Sequence, residues 1–145
     1  MVKIGIVRCT RDFECSGCNC FYAIKEHNGV FKDYNEPIEI VGITPCSVCK
    51  GGEINDELVN LKRYGANIIH LSSCHLAVYP PCPFIAEHKK HIEELLGLPV
   101  VVGTHPMPTS YVEKHTRLGD WRGCEGFLSK IIGDVKASLK YESKR

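Results

Sequence analysis

Four stretches of this chain are apolar at nearly every position, and each one runs into a cysteine or a histidine. Val2-Lys3-Ile4-Gly5-Ile6-Val7-Arg8 leads into Cys9, and Ile38-Glu39-Ile40-Val41-Gly42-Ile43 leads into Thr44-Pro45-Cys46. Ile68-Ile69-His70-Leu71-Ser72-Ser73 leads into Cys74-His75, and Val100-Val101-Val102-Gly103-Thr104 leads into His105. Short continuous apolar runs bounded by turn residues read as buried strands, about residues 2 to 8, 38 to 43, 67 to 72 and 99 to 103. Between them the apolar spacing is helical. A short helix is expected through Phe21, Ile24 and Lys25, closing near Asn28-Gly29. A second starts at Asn55 as N-cap, with Asp56 and Glu57 in its first turn, Leu58, Leu61 and Tyr64 on its apolar face and Gly65 at its end. A third, about Phe84 to Leu96, puts Ile85, His88, Ile92 and Leu95/Leu96 on one side and Gly97 at its end.

Pro80, Pro81 and Pro83 make the segment from Ser73 to Pro83 irregular, and residues 104 to 124 read as irregular or briefly helical around Tyr111 to His115. A terminal amphipathic helix is expected over about Glu125 to Lys140, with Phe127, Leu128, Ile131, Ile132, Val135 and Leu139 buried and a solvated basic tail beyond. No repeat and no linker divides residues 1–145, so the expectation is one domain. Strands alternating with helices imply right-handed crossovers: an α/β three-layer sandwich with a four-stranded, mostly parallel sheet. The simplest strand order is 2-1-3-4, as in flavodoxin-like doubly wound sheets, whose ligands bind outside the carboxyl ends of the strands at the switch point. Cys46 and Cys49, Cys9, Cys74 and His105 would then lie side by side along that edge.

Composition narrows the chemistry. The 145 residues are 43% apolar and 24% charged, enough for a real core. A net charge of +1 gives no electrostatic case for nucleic acid or an anionic membrane. No apolar run nears the ~20 residues of a membrane span. The amino terminus enters a strand at once, which reads as a cytoplasmic protein without a signal peptide. In that reducing setting the nine cysteines point to metal ligation, redox work or burial rather than disulfides. They are Cys9, Cys15, Cys18, Cys20, Cys46, Cys49, Cys74, Cys82 and Cys124, and all but one fall in expected loops.

The organising stretch is Thr44-Pro45-Cys46-Ser47-Val48-Cys49-Lys50-Gly51-Gly52, a C-x-x-C pair in a Pro- and Gly-rich loop just past a strand. Familiar alternatives are missing: no G-x-G-x-x-G follows the first strand, no Walker loop is present, and the residue six after Cys9 is Cys15, not arginine. In thioredoxin a helix begins at the first cysteine of the pair, whereas Gly51-Gly52 would break one here. Neighbouring strands lie about 4.8 Å apart, so three adjacent tips span roughly 10 Å. Zinc gathers four ligands at about 2.3 Å, while an iron–sulfur cluster accepts more widely spaced thiolates. A site led by Cys9, Cys46, Cys49 and Cys74 suits either; if His75 or His105 replaces a cysteine, zinc is favoured.

Cys15-x-x-Cys18-x-Cys20 is a second site, a donor to the first, or an exposed turn. Cys82 sits at the start of the third helix, where the helix dipole favours a thiolate. Cys124 reads as buried beside Trp121 or Phe127, and His70 as a satisfied core histidine. His88 and His91 lack an acidic partner for a zincin pattern and receive no metal role; His27 and His115 read as surface residues. Arg8, beside Cys9, can stabilise a thiolate or an anionic ligand, or pair with a carboxylate.

Taken together, Lys3-Ile4-Gly5-Ile6-Val7-Arg8-Cys9, Val41-Gly42-Ile43, Cys46-x-x-Cys49, Gly65-Ala66, Ser73-Cys74, Pro81-Cys82-Pro83 and Thr104-His105 resemble the CGGC-domain family over about residues 1 to 105. The resemblance implies metal binding through cysteine and histidine, usually zinc, with Cys9, Cys46, Cys49, Cys74, Cys82 and His105 on the motif positions, and implies no particular reaction. Ser47-Val48 replaces the Gly-Gly pair, and Phe84 stands where the family's C-P-H motif has histidine. Residues 106–145 form a carboxyl-terminal extension outside it.

The sequence therefore predicts a metal–thiolate centre held by Cys9, Cys46, Cys49 and Cys74, with Cys82 and His105 as ligands or close supports. An iron–sulfur cluster for redox or sulfur handling, with a redox partner protein, is preferred over zinc in a structural or trafficking role. A metal-free dithiol oxidoreductase is the third reading.

Overall fold

The pairing of the first two strands decides where the chemistry collects. A computed structural model describes residues 1–12, 15–78, 80–121 and 123–133 of the chain. Strands β1 (Val2–Cys9), β2 (Ile38–Cys46), β3 (Ile68–Leu71) and β4 (Val100–Val102) form one sheet in the order β2-β1-β3-β4, all neighbours parallel. This is the order expected from sequence. β1 and β2 pair along their whole length, with one register shift between Ile4 and Gly5, so that Cys9 stands opposite Cys46 at the carboxyl end. The order reverses between β1 and β3, which makes that end the switch point.

β1 is covered on both faces: Ile4, Ile6 and Val7 are buried. β2 is not the fully buried strand its apolar run suggests. It is an edge strand with one neighbour, and Ile43 is 43% exposed. The helices are α1 (Cys18–Glu26), α2 (Asn55–Arg63), α3 (Cys74–Ala77), α4 (Ile85–Leu96) and α5 (Thr109–Arg117). α2 buries Leu58 and Leu61, and its close approach to the sheet needs Gly5 and Gly42: a Cβ on either would sit 2.9 Å from Leu61. Tyr64 lies past the helix end and is 82% exposed, so the apolar face stops one turn earlier than the spacing implies. α4 buries Ile85, His88, Ile92 and Leu96, and Gly97 caps it in the left-handed region, while Leu95 faces out.

Three stretches fold differently from the expected elements. The stretch after β3 contains a helical turn, α3, because its prolines begin only at Pro80 and leave the earlier amides free to bond. α5 is longer than the brief helix expected around Tyr111. Over residues 125–133 there is no terminal helix: a 3-10 turn, Glu125–Phe127, is followed by turns. Gly126 and Gly133 weaken a helix there, and the backbone pairs elsewhere instead. The Met107 amide donates to the Ile131 carbonyl, and the Gly133 amide donates to the Met107 carbonyl at 2.9 Å. Leu128 and Ile131 are buried by this docking. The rest of the expected helix, with Val135 and Leu139, lies outside the described residues.

His70 is a satisfied core histidine, as read: its Nδ1 donates to the Gly103 carbonyl at 2.9 Å, and the Tyr34 hydroxyl donates to its Nε2 at 2.7 Å. His115, read as a surface residue, is buried, with Nδ1 2.6 Å from Asp120 Oδ2. Among the described residues no helix is long and apolar enough to cross a membrane.

Candidate metal centre

Three elements meet beyond the sheet edge. Cys46 is the last residue of β2, and the 3-10 turn Val48–Lys50 that follows carries Cys49 back over it. His75 comes from α3, directly after β3, and His88 from the first turn of α4. Cys46, His75 and His88 are all buried. Their ligand atoms lie within 4.8 Å of one another, with Cys46 Sγ 3.5 Å from His88 Nε2. Tetrahedral zinc wants such atoms about 3.5 Å apart, so the three need only a small contraction.

The protonation states suit a cation. His75 Nδ1 is 3.0 Å from the Ser72 carbonyl. A carbonyl only accepts, so Nδ1 carries the proton and donates it there, leaving Nε2 a bare lone pair. That Nε2 is buried and has no hydrogen-bond partner. Buried polar atoms are seldom orphaned without a functional reason. The backbone carbonyl behind the ring is also the support that metal-bound histidines use to fix their tautomer. Burial lowers the His75 pKa to about 4, against the opposing pull of the Ser72 bond. Burial also lowers that of His88, with His91 adding to it. Both imidazoles are thus neutral and ready to donate. Burial raises the Cys46 thiol; a bond from the Val48 amide offsets part of this, and Cys82, Cys9 and Cys49 push it further up.

Those three neighbours share the site. Cys9, Cys46, Cys49, Cys82, His75 and His88 line one small cavity of about 20 Å³, room for a single ion or water. Arg11 is also on its wall and favours a thiolate at Cys82, although burial raises that thiol on balance. A wider open cleft of about 230 Å³ shares His88, Val48 and Phe84 with this cavity and reaches Glu87 and His91.

The other expected ligands stand next door. Cys74 and His105 line a second cavity, of about 40 Å³, with Arg8, Cys15 and Cys20. Cys9 lines both. The Cys9 amide donates to Cys74 Sγ at 3.3 Å, and Ser72 Oγ lies 2.6 Å from the same sulfur. His105 Nδ1 donates to the Pro106 carbonyl at 2.8 Å, and its own carbonyl accepts from Ser73 Oγ at 2.6 Å. Of the Cys15/Cys18/Cys20 group, Cys20 sits 3.1 Å from Thr104 Oγ1, while Cys18 is exposed beside Ser16. Cys124 is buried and donates to the Trp121 carbonyl, in line with its expected burial.

His88 is the residue that sequence reasoning missed. A zincin pattern looks for two histidines on one helix face, and His91 instead turns outward to Asn55, at 2.8 Å. The usable signal was different: a histidine between Ile85 and Ile92 on an otherwise apolar face must find a partner inside.

Comparison with known proteins agrees with the motif reading. A family model described as the CGGC domain matches residues 3–105, the stretch holding all four strands and both cavities. No curated protein and no solved structure gives a significant match. With the match covering well over half of the 145 residues, the chain belongs to the CGGC-domain family.

Proposed function

We propose that the protein binds a single metal ion, zinc first among candidates, through Cys46, His75 and His88, with a fourth donor from Cys9, Cys49 or Cys82. The observation that carries this reading is His75 Nε2, a buried lone pair without a partner, on a ring that offers a ligand atom within 4.8 Å of a sulfur and a second imidazole. A mixed sulfur–nitrogen set of this kind suits zinc better than an iron–sulfur cluster, which prefers thiolates alone. The family's expected metal binding supports a bound metal, and four of its motif positions, Cys9, Cys46, Cys49 and Cys82, line this cavity. Bound zinc would supply either a structural cross-link or Lewis acidity.

The residues present do the preparatory work. Ser72 holds His75 in its metal-ready tautomer, burial keeps both imidazoles neutral, and Arg11 favours a thiolate at Cys82. Cys46, raised by burial, gives up its proton only as a cation arrives, so binding releases protons from thiols and none from histidines. A cytoplasmic role in metal handling fits these features.

The iron–sulfur reading has one specific support: Cys9, Cys46, Cys49 and Cys82 all line one cavity, a complete thiolate set. The metal-free dithiol reading is disfavoured, because a raised Cys46 makes a poor attacking thiol at neutral pH. Untagged protein analysed for metal separates the readings. Colourless protein with one zinc per chain, lost in Cys46→Ala and His88→Ala, supports the proposal. Visible absorption that bleaches on reduction supports the cluster. Protein that takes up neither zinc nor iron would refute both.

A further inference from the structure

The second cavity contains a charged group that the metal reading leaves unused. Arg8, near the end of β1, lines it, and the Arg8 Nη1 is buried without a hydrogen-bond partner. A guanidinium keeps its charge at any ordinary pH, so a desolvated, unanswered N–H on it calls for an acceptor. The sequence allowed a carboxylate to play that part. Among the described residues no ion pair includes Arg8, and none of those lining the cavity is aspartate or glutamate. The polar groups around it are four cysteines, weak acceptors when protonated, with Ser72 and His105; Cys74 Sγ is already engaged by the Cys9 amide and Ser72, and His105 Nδ1 by the Pro106 carbonyl.

Position and shape agree with a ligand. The cavity draws on β1 through Ile6, Arg8 and Cys9 and on the turn after β3 through Ser72 and Cys74, which is the switch point where doubly wound sheets bind their ligands. Its space, about 40 Å³, is about twice that beside Cys46. Phe21 and Ile43, 46% and 43% exposed, form an apolar part of its lining. No carboxylate among the lining residues repels an anion, and a guanidinium offers an oxyanion two parallel hydrogen bonds.

We propose that this cavity binds a small tetrahedral oxyanion of the sulfate or phosphate kind, free or as the acidic head of a small organic molecule, with Arg8 as its charged donor. The proposal does not rest on the metal site: either can fail while the other stands.

The test uses the full, untagged chain at constant ionic strength, exchanging chloride for sulfate or phosphate. Saturable binding by calorimetry and a matching rise in Tm are expected, weakened at least tenfold in Arg8→Gln, less in Arg8→Lys, and unchanged in Arg11→Gln on the other cavity. Phenyl phosphate binding more tightly than phosphate would identify an organic ligand resting on Phe21 and Ile43; equal binding would identify the free ion. Alkylation gives a second readout on the unmutated protein, read by mass spectrometry at Cys15, Cys20 and Cys74. Iodoacetate should gain on neutral iodoacetamide there, and sulfate should slow it. A sulfate effect no larger than that of chloride, or equal in Arg8→Gln, means an adventitious ion only and overturns the proposal. Should Arg8→Gln fail to fold, Arg8→Lys and the alkylation competition decide the question.

Discussion

The two cavities at the carboxyl edge of the sheet are built from the same residue type and invite opposite ligands. Cys9 belongs to both, and each has at least three cysteines on its walls. In the first, two neutral imidazoles face the sulfurs, one with a bare lone pair; that arrangement attracts a cation. In the second an unpartnered guanidinium shares the wall with four cysteines and no carboxylate, which suits an anion. Counting cysteines cannot separate these cases. The basic groups left without a partner separate them, His75 Nε2 in one and Arg8 Nη1 in the other, because imidazole can lose its proton at neutral pH and guanidinium cannot.

The sharpest way to break this contrast is to remove one ligand from the first cavity. Cys46→Ala or His88→Ala should weaken zinc binding by roughly 100-fold or more, since losing a ligand should exceed the 10–100-fold seen for supporting groups. Arg8→Gln should leave zinc affinity within about threefold. Competition with a chromophoric chelator measures both. Equal losses in all three variants would mean one site rather than two.

Acid sharpens the comparison through a histidine that has both partners. His70 is pushed down from 6.5 to about 4, chiefly by burial, against the opposing bond to Gly103. As pH falls the unfolded chain takes up that proton first, so the stability due to neutral His70 is complete above about 6.5 and drains away down to about 4. The shift corresponds to about 3 kcal/mol. Chemical denaturation across that window should show the loss, and His70→Gln should flatten the slope.

A backbone test reaches the second cavity more than the first. Gly29 has φ of 59°, and a Cβ there would sit 2.4 Å from the Thr104 carbonyl, next to His105. Gly29→Ala should destabilise the fold by about 2 kcal/mol and disturb the Thr104–Pro106 segment, read as a lower Tm and altered alkylation of Cys20 and Cys74, with zinc still bound. The smallest effect is expected for Ser72→Ala. It frees Cys74 Sγ of the nearby hydroxyl but keeps the carbonyl that orients His75, so zinc affinity should change less than about twofold while Cys74 alkylation changes clearly. A tenfold loss of zinc would show that the hydroxyl, 3.4 Å from Nδ1, is the real support of His75.

Much of this architecture follows from local patterns. Continuous apolar runs at β1, β3 and β4, glycine closing α4, and Leu58 with Leu61 on one face of α2 each state a local preference that the tertiary fold keeps. The terminal helix over residues 125–133 was a local preference that tertiary pairing overrode, since Met107 offers Ile131 and Gly133 backbone partners from far along the chain. The resemblance carried by the cysteine motifs over residues 1 to 105 was also legible, and the family match spans nearly the same stretch.

Sequence alone determined that four strands would end in cysteine or histidine at one edge, because strand direction and right-handed crossovers leave little choice. It could not determine which of those side chains face each other. Alternation along a strand sends neighbours to opposite sides, and consecutive helix residues such as Cys74 and His75 point about 100° apart, so adjacent residues feed different cavities. The spacing of α4 buries His88, but that it meets Cys46 of β2 is a long-range outcome the spacing does not encode.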